Sequence, residues 1–219
     1  MLHEWAIDER EYARHEARRG RRHAYEQLDP GRTALVVIDM VAFFLDENPY
    51  ARGIVGNVAR LATVLRDAGG TVAWVVSASG APTPAAVEFF GPEVAARYAA
   101  SSGSGPPRAR VSDEFDIDAI DIVVEKSAPS AFFPGRCELS ERLAEREVDT
   151  VLITGTVANV CCESSARDAS TLGYRVIMVA DANAAMRDRD LNATLHTIYR
   201  SFGDVRSTDE VIDLVDLGS

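Results

Sequence analysis

Five short strand-like runs constrain this chain most: residues 34–38, 71–76, 122–124, 150–153 and 175–179, apolar throughout after a leading Thr71, Thr150 or Arg175 in three of them. Each has the length of a strand, and none alternates polar with apolar residues, as a strand with one wet face would. Such runs belong to strands covered on both faces, the signature of a parallel sheet between helical layers. The stretches between them carry helical patterns. Residues 54–68 place Val58, Leu61, Ala62 and Leu65 on one face before a Gly69-Gly70 stop. Further helices are expected over 138–147, over 159–172 closed by Gly173, and over 190–202, with a last short element at Val205. Strands alternating with helices imply right-handed βαβ crossovers. The expected fold is a single-domain, Rossmann-like α/β architecture, mostly parallel, with helices on both faces. Its 219 residues suit one such domain.

Residues 1–28 stand apart as an arm dense in Glu and Arg, expected to be a helix that Asp29, Pro30 and Gly31 terminate. The arm is read as a solvated helix or a subunit contact, and residues 29–219 as the domain proper. Residues 101–107, rich in Ser, Gly and Pro, read as a flexible loop within it.

A formal net charge of −11 disfavours nucleic-acid and anionic-membrane partners, which would repel the chain. No apolar run approaches the roughly 20 residues needed to span a bilayer, and the N-terminus lacks the apolar stretch of a secretory signal. The 3 cysteines show neither a disulfide framework nor zinc spacing. These features lead us to expect a cytoplasmic protein acting on a small molecule.

In doubly wound sheets ligands gather beyond the carboxyl ends of the strands, and three chemically complementary residues lie there. Asp39 follows the first run, Lys126 follows the third after Glu125, and Cys161 sits at the start of the helix after the fourth. A thiol becomes a strong nucleophile when it ionises, and helix N–H groups and a nearby ammonium favour the thiolate. Asp39 could take the thiol proton and return it to a departing amine. Lys126 would hold the other two in register. The turn before Cys161 could aim N–H groups at an oxyanion, each worth about 3 kcal/mol. None of these roles requires a metal or another cofactor. Phe43, Phe44, Phe132 and Phe133 follow the acid and the base closely and are candidates for the substrate pocket or the core. Asp181, another strand-tip acid, reads as a structural cap, and His196 as a packing or surface residue. No histidine neighbours the cysteine in sequence.

The segment 154–169 (TGTVANVCCESSARDA) resembles the nucleophile motif of the isochorismatase-like cysteine hydrolases. Val37-Ile38-Asp39-Met40 and Glu125-Lys126, with Ser130-Ala131-Phe132 behind it, match the other two motifs in order. The resemblance spans roughly residues 30–216. It implies an Asp39–Lys126–Cys161 triad, a cis peptide at Thr156–Val157, oxyanion N–H groups at Val157 and Cys161, and a homodimer or homotetramer. Val41 replaces a Gln common in the family. Ser77-Ala78-Ser79-Gly80 stands where metal-dependent nicotinamidases carry His and Asp, so no metal is expected. The resemblance points to hydrolysis of a C–N bond in a small amide, ureide or carbamoyl compound, and leans to the ureidoacrylate and N-carbamoyl branch. Lactam amides and isochorismate-type vinyl ethers stay open as alternatives, with a non-enzymatic binding protein least favoured.

Overall fold

The computed structural model describes residues 1–218. Six strands, β1 (Thr33–Ile38), β2 (Thr71–Ser77), β3 (Ile122–Lys126), β4 (Thr150–Thr156), β5 (Arg175–Ala184) and β6 (Asp204–Arg206), form one sheet in the order β3-β2-β1-β4-β5-β6. Every pairing is parallel. The chain winds outward from β1 to β3, returns to β4, and winds outward the other way. The switch point therefore lies between β1 and β4.

The helices, in chain order, are α1 (Glu9–Arg19), α2 (Ala42–Glu47), α3 (Pro49–Gly53), α4 (Val55–Asp67), α5 (Pro84–Phe90), α6 (Pro92–Ala100), α7 (Pro107–Arg110), α8 (Leu139–Ala144), α9 (Glu163–Thr171), α10 (Asp188–Ser201) and α11 (Thr208–Gly218). Two cores explain the unbroken apolar strands. Ala34, Val36 and Ile38 of β1 face one core with Leu143, Ala166, Leu195 and Ile198. Leu35 and Val37 face the other with Val58, Leu61, Leu65, Val211 and Val215. Neither face of β1 meets water, and after its first residue, Thr33, neither carries a polar side chain.

Several expectations need correction. The arm is helical only over Glu9–Arg19, because Gly20 adopts φ 75° and its N–H closes onto the Glu16 carbonyl. Asp29, Pro30 and Gly31 instead open a short 3₁₀ turn, Pro30–Arg32, capped by the Asp29 side chain. The arm is also not a solvated appendage: Ile7, Glu11 and His15 are buried, and Glu11 pairs with Arg200 of α10 at 2.8 Å. The 101–107 loop is tied down, with Ser101 and Ser102 buried and Ser79 donating to the Gly103 carbonyl at 2.6 Å. Helices α5 and α6 carry no periodic apolar stripe that buries deeply; Ala95 is their single buried residue. Among the described residues no helix is long and apolar enough to cross a membrane.

The last paired position of β1 and β4 is Ile38–Gly155. Gly155 has φ 112°, and a Cβ there would run into the backbone of Ile38. Gly155→Ala is expected to destabilise the fold by about 3 kcal/mol or more, measured by urea denaturation, since both the φ value and the contact oppose it. A loss below about 1 kcal/mol would show that the strands can separate there.

Candidate active site

Each strand end at the switch point delivers one polar group. Lys126 occupies the last position of β3, on the same face as Ile122 and Val124, so its stem lies along the core and its ammonium emerges at the carboxyl edge. Ser77 ends β2 and is the direct cross-strand partner of Lys126. Asp39 leaves β1 with φ 51°, a left-handed conformation that Asp tolerates better than most residues. Its N–H donates to the Val75 carbonyl at 2.8 Å. Cys161 lies beyond β4 in a single π-helical turn, Ala158–Cys162, that leads into α9. Such turns recur at functional sites. The Thr156–Val157 peptide is cis, as the resemblance implies.

The four side chains form one cluster. Lys126 Nζ stands 2.8 Å from Asp39 Oδ2, and both side chains are about 2 % exposed or less. Lys126 also donates to Ser77 Oγ at 2.9 Å, and Ser77 in turn donates to Asp39 Oδ1 at 3.0 Å. Cys161 Sγ lies 3.5 Å from Lys126 Nζ, and the Asp39 carboxylate, held by the same ammonium, is close enough to oppose ionisation of the thiol. Asp39 Oδ2 meets the ammonium as a charge contact without good hydrogen-bond alignment, which leaves that oxygen open to the thiol. The structure thus brings Asp39, Lys126 and Cys161 together.

Ser77 escaped the sequence reading. It was visible only as the polar residue that ends an apolar run, the same signal that exposed Asp39 and Lys126. Ser165 was likewise missed: it donates to the Cys161 carbonyl at 2.7 Å and accepts the Ala131 N–H at 2.9 Å, pinning the cysteine turn to the segment behind Lys126. Phe132 is removed from the pocket candidates, since it is 1 % exposed and packs edge-on to Tyr174 in the core. Phe43 and Phe44 lie edge-to-face on α2 under Arg97, and Phe133 is half-exposed. Asp181 accepts from the Thr208 N–H and hydroxyl at 2.7 and 2.8 Å, capping α11 as a structural acid. A surface hollow of about 320 Å³, lined among others by Asp149, Gly173 and Tyr174, lies at the amino ends of β4 and β5, away from this cluster.

The electrostatics correct one expectation. Burial opposes the ammonium of Lys126, but the Asp39 carboxylate beside it outweighs that and raises its pKa, so the lysine stays charged. Burial and the Asp39 carboxylate push the Cys161 thiol up to about 12, with Lys126 pulling against them. The resting cysteine is therefore a thiol, not the pre-formed thiolate that helix and ammonium alone would favour. Cys162 is fully buried and held well above the usual thiol range, and Cys137 is pushed up to about 11, both chiefly by burial.

Two outcomes follow from this geometry. Asp39→Asn removes the charge that opposes ionisation, so iodoacetamide labelling of Cys161 should shift to lower pH; a profile shifted upward or unmoved would contradict the thiol–carboxylate contact. Lys126→Ala leaves the Asp39 charge buried and unpaired, and should cost about 3–5 kcal/mol in urea denaturation. Ser77→Ala should cost only about 1–2 kcal/mol. Equal losses for the two variants would place the stabilising contact elsewhere.

Residues 33–210 match the isochorismatase domain family. The chain is 28% identical over 206 residues to the ureidoacrylate amidohydrolase RutB of Variovorax paradoxus, covering 82% of this chain and 80% of the relative. A cysteine hydrolase from Pseudomonas syringae superposes with a TM-score of 0.78 at 27% identity, over 90% of this chain and 98% of its own. An N-carbamoylsarcosine amidase from Thermoplasma acidophilum does so with a TM-score of 0.67 at 30% identity, over 81% and 97%. The chain belongs to the isochorismatase family of hydrolases.

Proposed function

We propose that the protein hydrolyses a C–N bond of a small ureide, carbamoyl amine or primary amide through a thioester on Cys161. The observation that carries this reading is the placement of the Cys161 thiol 3.5 Å from a buried ammonium, Lys126, that is itself paired at 2.8 Å with a buried carboxylate, Asp39. The relatives named for ureidoacrylate and N-carbamoylsarcosine support the substrate class.

The chemistry follows from the resting protonation. Cys161 Sγ attacks the substrate carbonyl carbon while its proton passes to Asp39, the general base. Because the thiol is held neutral, proton transfer accompanies attack and does not precede it. The carbonyl oxygen gathers negative charge, which the N–H groups of Val157 and Cys161 would face. As the tetrahedral intermediate collapses, the C–N bond breaks and Asp39 returns the proton to the nitrogen, releasing ammonia or an amine. Water then attacks the thioester, Asp39 takes its proton, and the thiol leaves with that proton as the acid product departs. Lys126 remains charged throughout. It keeps Asp39 and Cys161 in register and compensates the negative charge that moves between them. Ser77 fixes both partners of the ion pair. The partly exposed Phe43 and Phe133 serve as walls for the substrate's apolar portion.

A panel of small ureides, carbamoyl amines and amides, assayed by ammonia release, tests the reading. Wild type should turn over at least one compound. Cys161→Ala and Asp39→Asn should lose at least about a thousandfold in kcat. A Cys161→Ala protein with full turnover would remove the cysteine from the chemistry.

A further inference from the structure

The first eight residues form a strap across the body of the domain, and one of its side chains reaches the frame of the cysteine loop. His3 is fully enclosed, its side chain 1 % exposed. Its ring stacks on Tyr50 of α3, with centroids 3.7 Å apart and planes 8° from parallel. Nδ1 lies 2.6 Å from Asp188 Oδ1 at the start of α10. Nε2 accepts the backbone N–H of Ala185 at 3.1 Å. A backbone N–H can only donate, so the ring is held with its proton on Nδ1, pointing to Asp188, and its lone pair on Nε2.

Ala185 is where this contact gains meaning. Its carbonyl accepts from Asn48 Nδ2 at 2.9 Å, and Asn48 also caps the helix that carries Tyr50. His3, Tyr50, Asn48 and Ala185 thus close a ring of contacts. The adjoining residue, Ala184, pairs in register with Thr156, and its carbonyl accepts the Thr156 hydroxyl at 3.2 Å. Thr156 is the last residue of β4 and leads into the turn that holds Cys161. Asn192 secures the strap on its other side, accepting the Ala6 N–H at 2.8 Å and donating to the Glu4 carbonyl at 2.9 Å.

We infer that His3 is a positioning residue for the cysteine loop, acting through Ala185 and the β5 end on which Thr156 rests. The inference relies on the reading of Cys161 as the nucleophile. Its chemical content is a single lone pair: a side chain at position 3 must accept from Ala185, and ring volume alone does not suffice.

Two substitutions separate these roles. His3→Gln can present an amide oxygen to Ala185 but loses the stacked ring, whereas His3→Phe keeps a ring on Tyr50 and offers no acceptor. With a compound from the ammonia panel, kcat should fall roughly tenfold or more in His3→Phe at similar KM. It should stay within about threefold of wild type in His3→Gln. Iodoacetamide labelling of Cys161 should show the same order without any substrate. Wild-type behaviour in both variants, or retention in Phe with loss in Gln, would overturn the inference. Long-range ¹H–¹⁵N spectra of the imidazole in the full-length wild type give a readout that needs no variant to fold. They should show the Nδ1–H tautomer, and an Nε2–H tautomer would refute the contact. Turnover that survives Cys161→Ala would sink the cysteine mechanism instead, and would leave the labelling and tautomer results to judge His3 separately.

Discussion

The buried pair of Lys126 and Asp39 organises everything around it. Two opposite charges enclosed at the end of a sheet are poor value for stability, since the desolvation of both largely cancels their attraction. A fold that needed only packing would place apolar residues there. What the pair supplies is a fixed field. It holds a carboxylate beside a thiol without letting either drift, and it keeps a positive charge within 3.5 Å of the sulfur. The Asp39 charge suppresses ionisation of Cys161, and the Lys126 charge limits that suppression. A neutral thiol is protected from adventitious alkylation and oxidation.

The sheet makes this arrangement possible at modest cost. Ser77 and Lys126 are cross-strand partners, so their contact follows from the β2–β3 register alone. Asp39 reaches them because β1 pairs directly with β2 and the chain leaves it with positive φ. Gly155 lets β4 lie close against β1 and delivers the Cys161 turn beside Asp39. The β5 end, braced from outside by the N-terminal strap, backs that turn. Four consecutive strand positions in the sheet, from β3 to β4, therefore contribute one group each to a single point, the switch of strand direction.

Much of this was legible in the sequence, for identifiable reasons. Strands buried on both faces announce themselves as unbroken apolar runs, and a charge at the end of such a run is conspicuous. That is why Asp39 and Lys126 could be named, and why a mostly parallel sheet with helices on both faces could be anticipated. Ser77 was less visible because a serine ending a strand is chemically quiet until its neighbours are known. Helices α5 and α6 were invisible because they bury almost nothing, so no apolar period marks them. The arm's helix was drawn too long because its Glu and Arg content continues past Gly20, where local geometry ends it. The ionisation of Cys161 could not be read at all, since it is set by burial and by which charge lies nearer. The hydrogen bonds of His3 span 182 residues or more and leave no local trace.

The most direct test of the account is to trap the covalent intermediate. Wild type mixed with a turned-over C–N substrate, quenched in acid within the first turnover and digested, should carry the acyl group on the peptide containing Cys161. One equivalent of ammonia or amine should appear in the same interval. Release of product without an adduct on Cys161, at a rate unchanged in Cys161→Ala, would contradict nucleophilic attack by this cysteine.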